Sequence, residues 1–299
     1  MTDIGTPVRA DRAGTVTIGG DLPVNRLGFG SMQLPGPGIW ADPPDRDAAV
    51  AVLRRAVDLG VDFIDTADSY GPFVAEDLIR EALHPYPPGL VVATKGGLVR
   101  RGPVTRDELW PVVGRPEYLR QCVEMSLRRL RLDTIDLYQL HRIDPRVPVE
   151  ESLGELAALR QEGKIRHIGV SEVDVDTLRR CQAVTPIATV QNRYHLRHRM
   201  HDPVLRYCTE NGLVFIPWDP LASGDLLHPD GPLARYAATR PETPAQVALG
   251  WLLHRSPAML VIPGTSSLTH LADNVAAAGV RLSEPDLRAL DDLAAAATD

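Results

Sequence analysis

Four side chains at the ends of apolar runs could do proton chemistry together. Asp65 closes GVDFID, Tyr70 follows in TADSYG, Lys95 closes VVATK and His141 closes LYQLH. An ammonium buried beside a phenol stabilises the phenolate and draws its pKa down, while a carboxylate holds that ammonium charged and in place. A tyrosine so tuned delivers a proton near neutral pH, which suits general-acid catalysis on a carbonyl oxygen. Taken singly, three of the four have plainer readings. Asp65 could cap a helix, Tyr70 could be a half-buried aromatic, and His141 could bond loop backbone. Lys95 resists such a reading, because a lysine ending an apolar strand is rarely buried without a partner. It is also one of only two lysines, with Lys164, among 32 basic residues. Where arginine is so preferred, a retained lysine marks a task that guanidinium cannot do.

The elements that would position these residues alternate regularly. Apolar runs at 27–30, 63–65, 90–94, 135–140, 165–171, 188–191, 213–218 and 259–262 read as strands buried on both faces. Amphipathic stretches at 45–59, 75–83, 116–130, 148–162, 174–182, 203–211, 243–255 and 269–277 read as helices. Eight of each predict an α/β fold, a (β/α)8 TIM barrel occupying residues 1–299 as one domain. An open doubly wound sheet is disfavoured, since no Gly-x-Gly-x-x-Gly follows an early strand. Residues 16–18 and 22–24 read as a short hairpin before the barrel, residues 1–14 as a flexible leader, and 284–297 as a last helix. The connections 96–115 and 219–240 are unusually long and follow strand ends, the rim where barrel enzymes build their sites.

Composition narrows the partners. Thirty-two Lys plus Arg against 39 Asp plus Glu leaves a net charge of −7 and a pI near 5.7, a poor match to nucleic-acid phosphates. No apolar stretch approaches a membrane span, and the first residues, MTDIGTPVRADRAG, lack the apolar core of a signal peptide. The expected setting is cytoplasmic. Cys122, Cys181 and Cys208 are scattered, so neither a disulfide framework nor a metal site is expected, and no protein partner is evident.

In its ordered motifs the chain resembles the aldo-keto reductase family along essentially its whole length. The segments that carry the likeness are NRLGFGSMQ, GVDFIDTADSYG, VVATK, LYQLHRID, GKIRHIGVSEV, VQNRYH, FIPWDPLASG and IPGTSSLTHLADN. The resemblance implies a catalytic tetrad of Asp65, Tyr70, Lys95 and His141. It implies hydride transfer from a nicotinamide to a carbonyl carbon, with Tyr70 protonating the oxygen, Lys95 tuning Tyr70, Asp65 anchoring Lys95 and His141 orienting the carbonyl.

By the same resemblance NADPH is the expected cofactor, with NADH as a second. Ser171, Glu172 and Gln191 match positions that bind the nicotinamide amide, although relatives often carry Asn where this chain has Glu172. Trp218 takes the place of the aromatic that stacks on the ring, and Pro220, Leu221, Ser223 and Gly224 match the loop crossing the pyrophosphate. Gly264, Thr265, Ser266, His270, Asp273 and Asn274 fall on the adenosine-phosphate positions. His270 stands where NADPH-specific members often have a base, so on charge alone the preference for NADPH should weaken. Met32, Trp40 and Trp110 are expected to join Tyr70 and His141 in an aromatic, uncharged substrate wall. The closest likeness is to a bacterial branch that includes pyridoxal reductases, so the expected substrate is pyridoxal or a similar small aromatic carbonyl. Two other readings use the same residues: a Schiff-base aldolase or lyase working through Lys95, and a cofactor-sensing regulatory subunit of the same fold.

Overall fold

The period of two along each barrel strand decides which residues look inward, and it delivers the site. In the computed structural model, which describes residues 7–104 and 110–295, a hairpin of β1 (Thr15–Ile18) and β2 (Leu22–Asn25) precedes the sheet. Seven parallel strands follow in chain order: β3 (Phe29–Gly30), β4 (Phe63–Asp65), β5 (Val91–Gly96), β6 (Ile135–Leu140), β7 (Ile165–Ser171), β8 (Thr189–Arg193) and β9 (Val214–Trp218). Ile18, Leu22 and Val24 of the hairpin pack with Phe63, Val91, Ala93, Leu137 and Ile216 in one buried cluster, so the hairpin plugs the lower mouth of the barrel. Two residues further along the same inward rows stand Asp65, Lys95, Gln139 and Trp218. Apolar at the bottom and polar at the top is the result.

The eighth strand expected at 259–262 is reduced to single pairings. Met259 bridges Phe215 and Val261 bridges Leu27, both in parallel sense, while Leu260 N–H donates to Phe215 O (2.9 Å) and Val261 N–H to Arg26 O (2.8 Å). The ring closes there. Pro257 and Pro263 flank the segment and lack the N–H that a longer ladder needs. The outward strand faces pack on α1 (Arg46–Asp58), α2 (Val74–Leu83), α3 (Pro116–Leu130), α4 (Val149–Gln161), α5 (Val175–Val184) and α6 (Asp202–Asn211). The outer layer continues with α7 (Pro232–Ala237), α8 (Pro244–Arg255), α9 (Leu268–Ala276) and α10 (Glu284–Ala295). Helix α7 lies inside the connection that the sequence reading left without an element.

The leader is a second correction. Residues 10–13 form a 3-10 turn whose Ala10 is fully buried, with its N–H on Leu59 O at 2.9 Å, and Arg9 Nη1 donates to Asp58 O at 2.7 Å. A small apolar residue under the end of α1 is what ties this segment down; residues 1–6 lie outside those described. All three cysteines are free and buried.

Gly169 shows how closely the barrel interior is filled. A methyl at this position would lie 2.1 Å from Thr189 Oγ1 and 2.9 Å from Gln139 Cγ. Gly169→Ala should therefore cost about 1–3 kcal/mol, the ordinary penalty of overpacking. Urea unfolding checks it: the expected outcome is a lower midpoint at unchanged slope, and an unchanged midpoint would show that Gln139 has room to move.

Candidate active site

Lys95 is the centre of the upper layer. Its fully buried ammonium donates to Asp65 Oδ2 (2.5 Å), Thr66 O (2.8 Å) and Tyr70 OH (3.3 Å). Asp65 receives two further donors on its other oxygen, from Gln139 Nε2 (3.1 Å) and Gln191 Nε2 (2.8 Å). His141 faces Tyr70 edge-on with ring centroids 6.0 Å apart, and its Nδ1 lies 3.5 Å from Ser69 Oγ. The four residues expected to act together are brought together. Strands β4, β5 and β6 are neighbours in register, and the loop after β4 folds Tyr70 back over Lys95.

The electrostatics differ from expectation at one point. Burial pushes the Tyr70 phenol up, and the Lys95 charge that pulls it down does not win, so the hydroxyl sits above the ordinary tyrosine range. Tyr70 is thus firmly protonated at neutral pH. Burial draws Lys95 down, but Asp65 and then Tyr70 outweigh it, and the ammonium stays charged. Burial, with Lys95 and Arg142 adding to it, pushes His141 well below the ordinary histidine value and leaves it neutral.

A cavity of about 960 Å³ opens above this layer. It runs from Met32, Tyr70, Trp110 and His141 past Trp218 and the loop Pro220, Leu221, Ser223, Gly224 to Gly264, Thr265, Ser266, His270, Asp273 and Asn274. Asp65 and Gln191 reach it from below, whereas Lys95 does not line it. At its base, Gly264 and Gly30 bring two backbones together: a methyl on Gly264 would lie 2.6 Å from Gly30 O. Asp219 pins the crossing loop by accepting from Ser223 N (2.6 Å) and Ser223 Oγ (2.9 Å) while Arg193 Nε donates to its other oxygen at 3.0 Å.

Three expected contacts are placed otherwise. Trp40 does not line the cavity; its backbone bridges Gly71 and its ring meets the Arg100 guanidinium at 5.6 Å, so it anchors the loop. Ser171 is buried beneath the cavity wall, donating to Gln191 O (2.6 Å) and accepting from Arg142 Nη1 (2.7 Å). Glu172 holds a left-handed backbone (φ 55°) and turns from the cavity to accept from Trp218 Nε1 (2.6 Å) and Arg193 N (2.6 Å). Burial pushes the Glu172 carboxyl up, but His201, the Arg193 N–H and Trp218 outweigh it and hold it down to about 2.

Residues 26–295 match the Aldo/keto reductase family. The chain belongs to that family. It is 50% identical over 291 residues to an uncharacterized oxidoreductase of Schizosaccharomyces pombe, spanning 97% of this chain and 93% of that protein. It is 42% identical over 278 residues to the pyridoxine 4-dehydrogenase of Escherichia coli, spanning 91% and 96% respectively. The solved aldo-keto reductase of Klebsiella pneumoniae in complex with NADPH superposes with a TM-score of 0.79 at 28% identity, covering 97% of this chain and 95% of that one.

Sequence reasoning missed several residues in and beneath this aldo/keto reductase's cavity. Gln139 anchors Asp65 from the middle of an apolar strand, and its only signal was a lone polar residue in LYQLH. Arg142 lines the wall beside His141, and Thr243 lines the far end while donating to Asp273 Oδ2 at 2.9 Å. Among the described residues no cluster of His, Cys, Asp or Glu has the makings of a metal site.

Asp68, two residues before Tyr70, is a buried carboxyl whose Oδ1 has no partner. Burial, reinforced by Glu76, pushes it up to about 7. Unfolded, the group titrates near 4, so the native state loses stability as pH rises from about 4 to 7 and keeps the full penalty above that. Asp68→Asn should therefore stabilise the protein at pH 8 by about 2–4 kcal/mol and leave it nearly unchanged at pH 4. Urea titrations at the two pH values test this; an equal effect at both would mean that Asp68 is ionised throughout.

Proposed function

We propose that this aldo/keto reductase reduces a small aldehyde or ketone to an alcohol with NADPH, and that Tyr70 donates the proton. The observation that supports it is Tyr70 at the cavity wall with its hydroxyl 3.3 Å from a fully buried ammonium, itself clamped by Asp65. The cofactor, when bound, supplies the hydride. The residues present suit it. One end of the cavity offers the indole of Trp218, backed by Glu172, and the other offers Thr265, Ser266 and the start of α9, where N–H groups and hydroxyls can meet phosphate. Gln191 would hold the nicotinamide amide, and the strap of Pro220, Leu221, Ser223 and Gly224 would cover the pyrophosphate.

In this reading a carbonyl oxygen sits between Tyr70 and His141. The raised Tyr70 keeps its proton until negative charge develops on that oxygen, and Lys95 then stabilises the phenolate left behind. Asp65 keeps Lys95 charged and fixed. Neutral His141 orients the oxygen with a ring nitrogen and adds no competing charge. Met32, Trp110 and Tyr70 give the substrate an aromatic wall, suited to a flat carbonyl compound such as pyridoxal, and the pyridoxine 4-dehydrogenase relative supports that class. A Schiff base at Lys95 is not favoured, because the amine lies behind Tyr70 and outside the cavity lining. Among the described residues no helix is long and apolar enough to cross a membrane. A cytoplasmic enzyme acting as one barrel domain on a small molecule completes the proposal.

Tyr70→Phe should lower turnover on aldehydes by at least about 100-fold while NADPH affinity changes little. Steady-state rates beside a fluorescence titration of NADPH separate the two, and equal turnover would remove Tyr70 as the acid. At the adenosine end, exposed His270 lines the cavity near Asp273, whose carboxylate would repel a 2′-phosphate. His270→Arg should tighten NADPH by about 10-fold and leave NADH unchanged. Paired dissociation constants check it; parallel changes for both cofactors would place residue 270 away from the phosphate.

A further inference from the structure

Arg142 is the one Arg or Lys that lines the cavity among the described residues, and only one of its three guanidinium nitrogens is partnered. Its Nη1 donates to His141 O (2.7 Å) and Ser171 Oγ (2.7 Å), and its guanidinium lies 5.5 Å from the Trp218 ring centroid. These contacts fix the side chain. Its Nε and Nη2 have no protein acceptor, and no carboxylate lies within 4.0 Å of it, among the described residues. The carboxylates of the lining are otherwise engaged: Asp65 by Lys95, Asp219 by Arg193, and Asp273 by Thr243 and Gln246. Glu172 acts on it only from beyond ion-pair distance. A guanidinium drawn out of bulk water with no anion in contact is unfavourable unless a ligand completes it, and its planar fork matches a carboxylate or other anionic oxygen.

We infer that Arg142 is a specificity-determining residue that selects carbonyl substrates carrying an anionic oxygen, held by its Nε and Nη2 while the carbonyl lies between Tyr70 and His141. This rests on the reductase reading and names the substrate class. It replaces the uncharged wall expected from sequence by a wall with one fixed cation, set between the neutral His141 ring and Trp218.

The test compares 3- and 4-carboxybenzaldehyde with their methyl esters, which keep shape and remove charge. In the parent protein the better acid should exceed its ester in kcat/KM by about 10-fold or more, the worth of a charge-assisted contact. Arg142→Met should abolish that ratio, and Arg142→Lys should keep part of it through charge alone. NADPH affinity, read by fluorescence, should change less than about 3-fold in both. Equal kcat/KM for acid and ester in the parent overturns the inference, and so does an unchanged ratio in Arg142→Met. Weakened NADPH binding with the ratio intact also overturns it, since Arg142 would then serve the cofactor. Equilibrium binding of the same acids and esters to the NADPH-loaded protein separates this inference from the reading beneath it. Acid-selective binding without turnover upholds the anion site and refutes the reduction; turnover without selectivity does the reverse.

Discussion

A lysine ammonium with no exposure to solvent is the constraint around which the upper barrel is arranged. Removing that charge from water is unfavourable by several kcal/mol unless its donors are satisfied and an opposite charge is held close. Asp65 meets the requirement at 2.5 Å, and Thr66 O takes a second donor. Asp65 is in turn buried and is held by Gln139 and Gln191. Those two glutamines come from β6 and β8, so the pair is stable only when the barrel has formed. The space that Gln139 occupies exists because residue 169 has no side chain. Removing either ion alone would leave the other buried and uncompensated, which is why the pair is coupled so tightly to the fold.

Tyr70 inherits its environment from that arrangement. The loop after β4 carries three buried polar residues in a row, Asp68, Ser69 and Tyr70, and each does something different there. Asp68 is left with an unpartnered oxygen, Ser69 approaches His141, and Tyr70 meets Lys95. Burying a phenol beside an ammonium sets two opposing effects against each other. Burial is the larger here, so the tyrosine stays protonated at neutral pH.

The half of the cavity beside Trp218 is governed by a second polar network, at the C-terminal ends of β7, β8 and β9. Glu172 holds the Trp218 indole and the Arg193 backbone, Arg193 holds Asp219, and Asp219 holds the loop at Ser223. One chain of charge-assisted bonds thus connects the aromatic platform to the strap beside it. Arg142 stands at the junction of the two networks, lining the cavity, bonded to Ser171 and near the Trp218 ring.

The strand-helix alternation and the convergence of Asp65, Tyr70, Lys95 and His141 were legible because both are written locally: apolar runs of strand length, three of them ending in or followed by a charged residue or a histidine. The exact ladders were not. Pro257 and Pro263 trim the eighth strand to two bridges, and the short α7 has too few residues for its periodicity to stand out. Trp40 and Trp110 looked alike in sequence, and Arg100 meets both rings, at 5.6 Å and 4.2 Å, yet only Trp110 also packs against Tyr70 and His141 and so faces the cavity. The same limit covers Glu172, whose partners are 21 and 46 residues away. Residue types and spacing by themselves determined which groups stand at the rim of a barrel. Only the tertiary structure decided which of them lose water and which partner each one finds, because desolvation and hydrogen bonding are set by elements far apart in the chain.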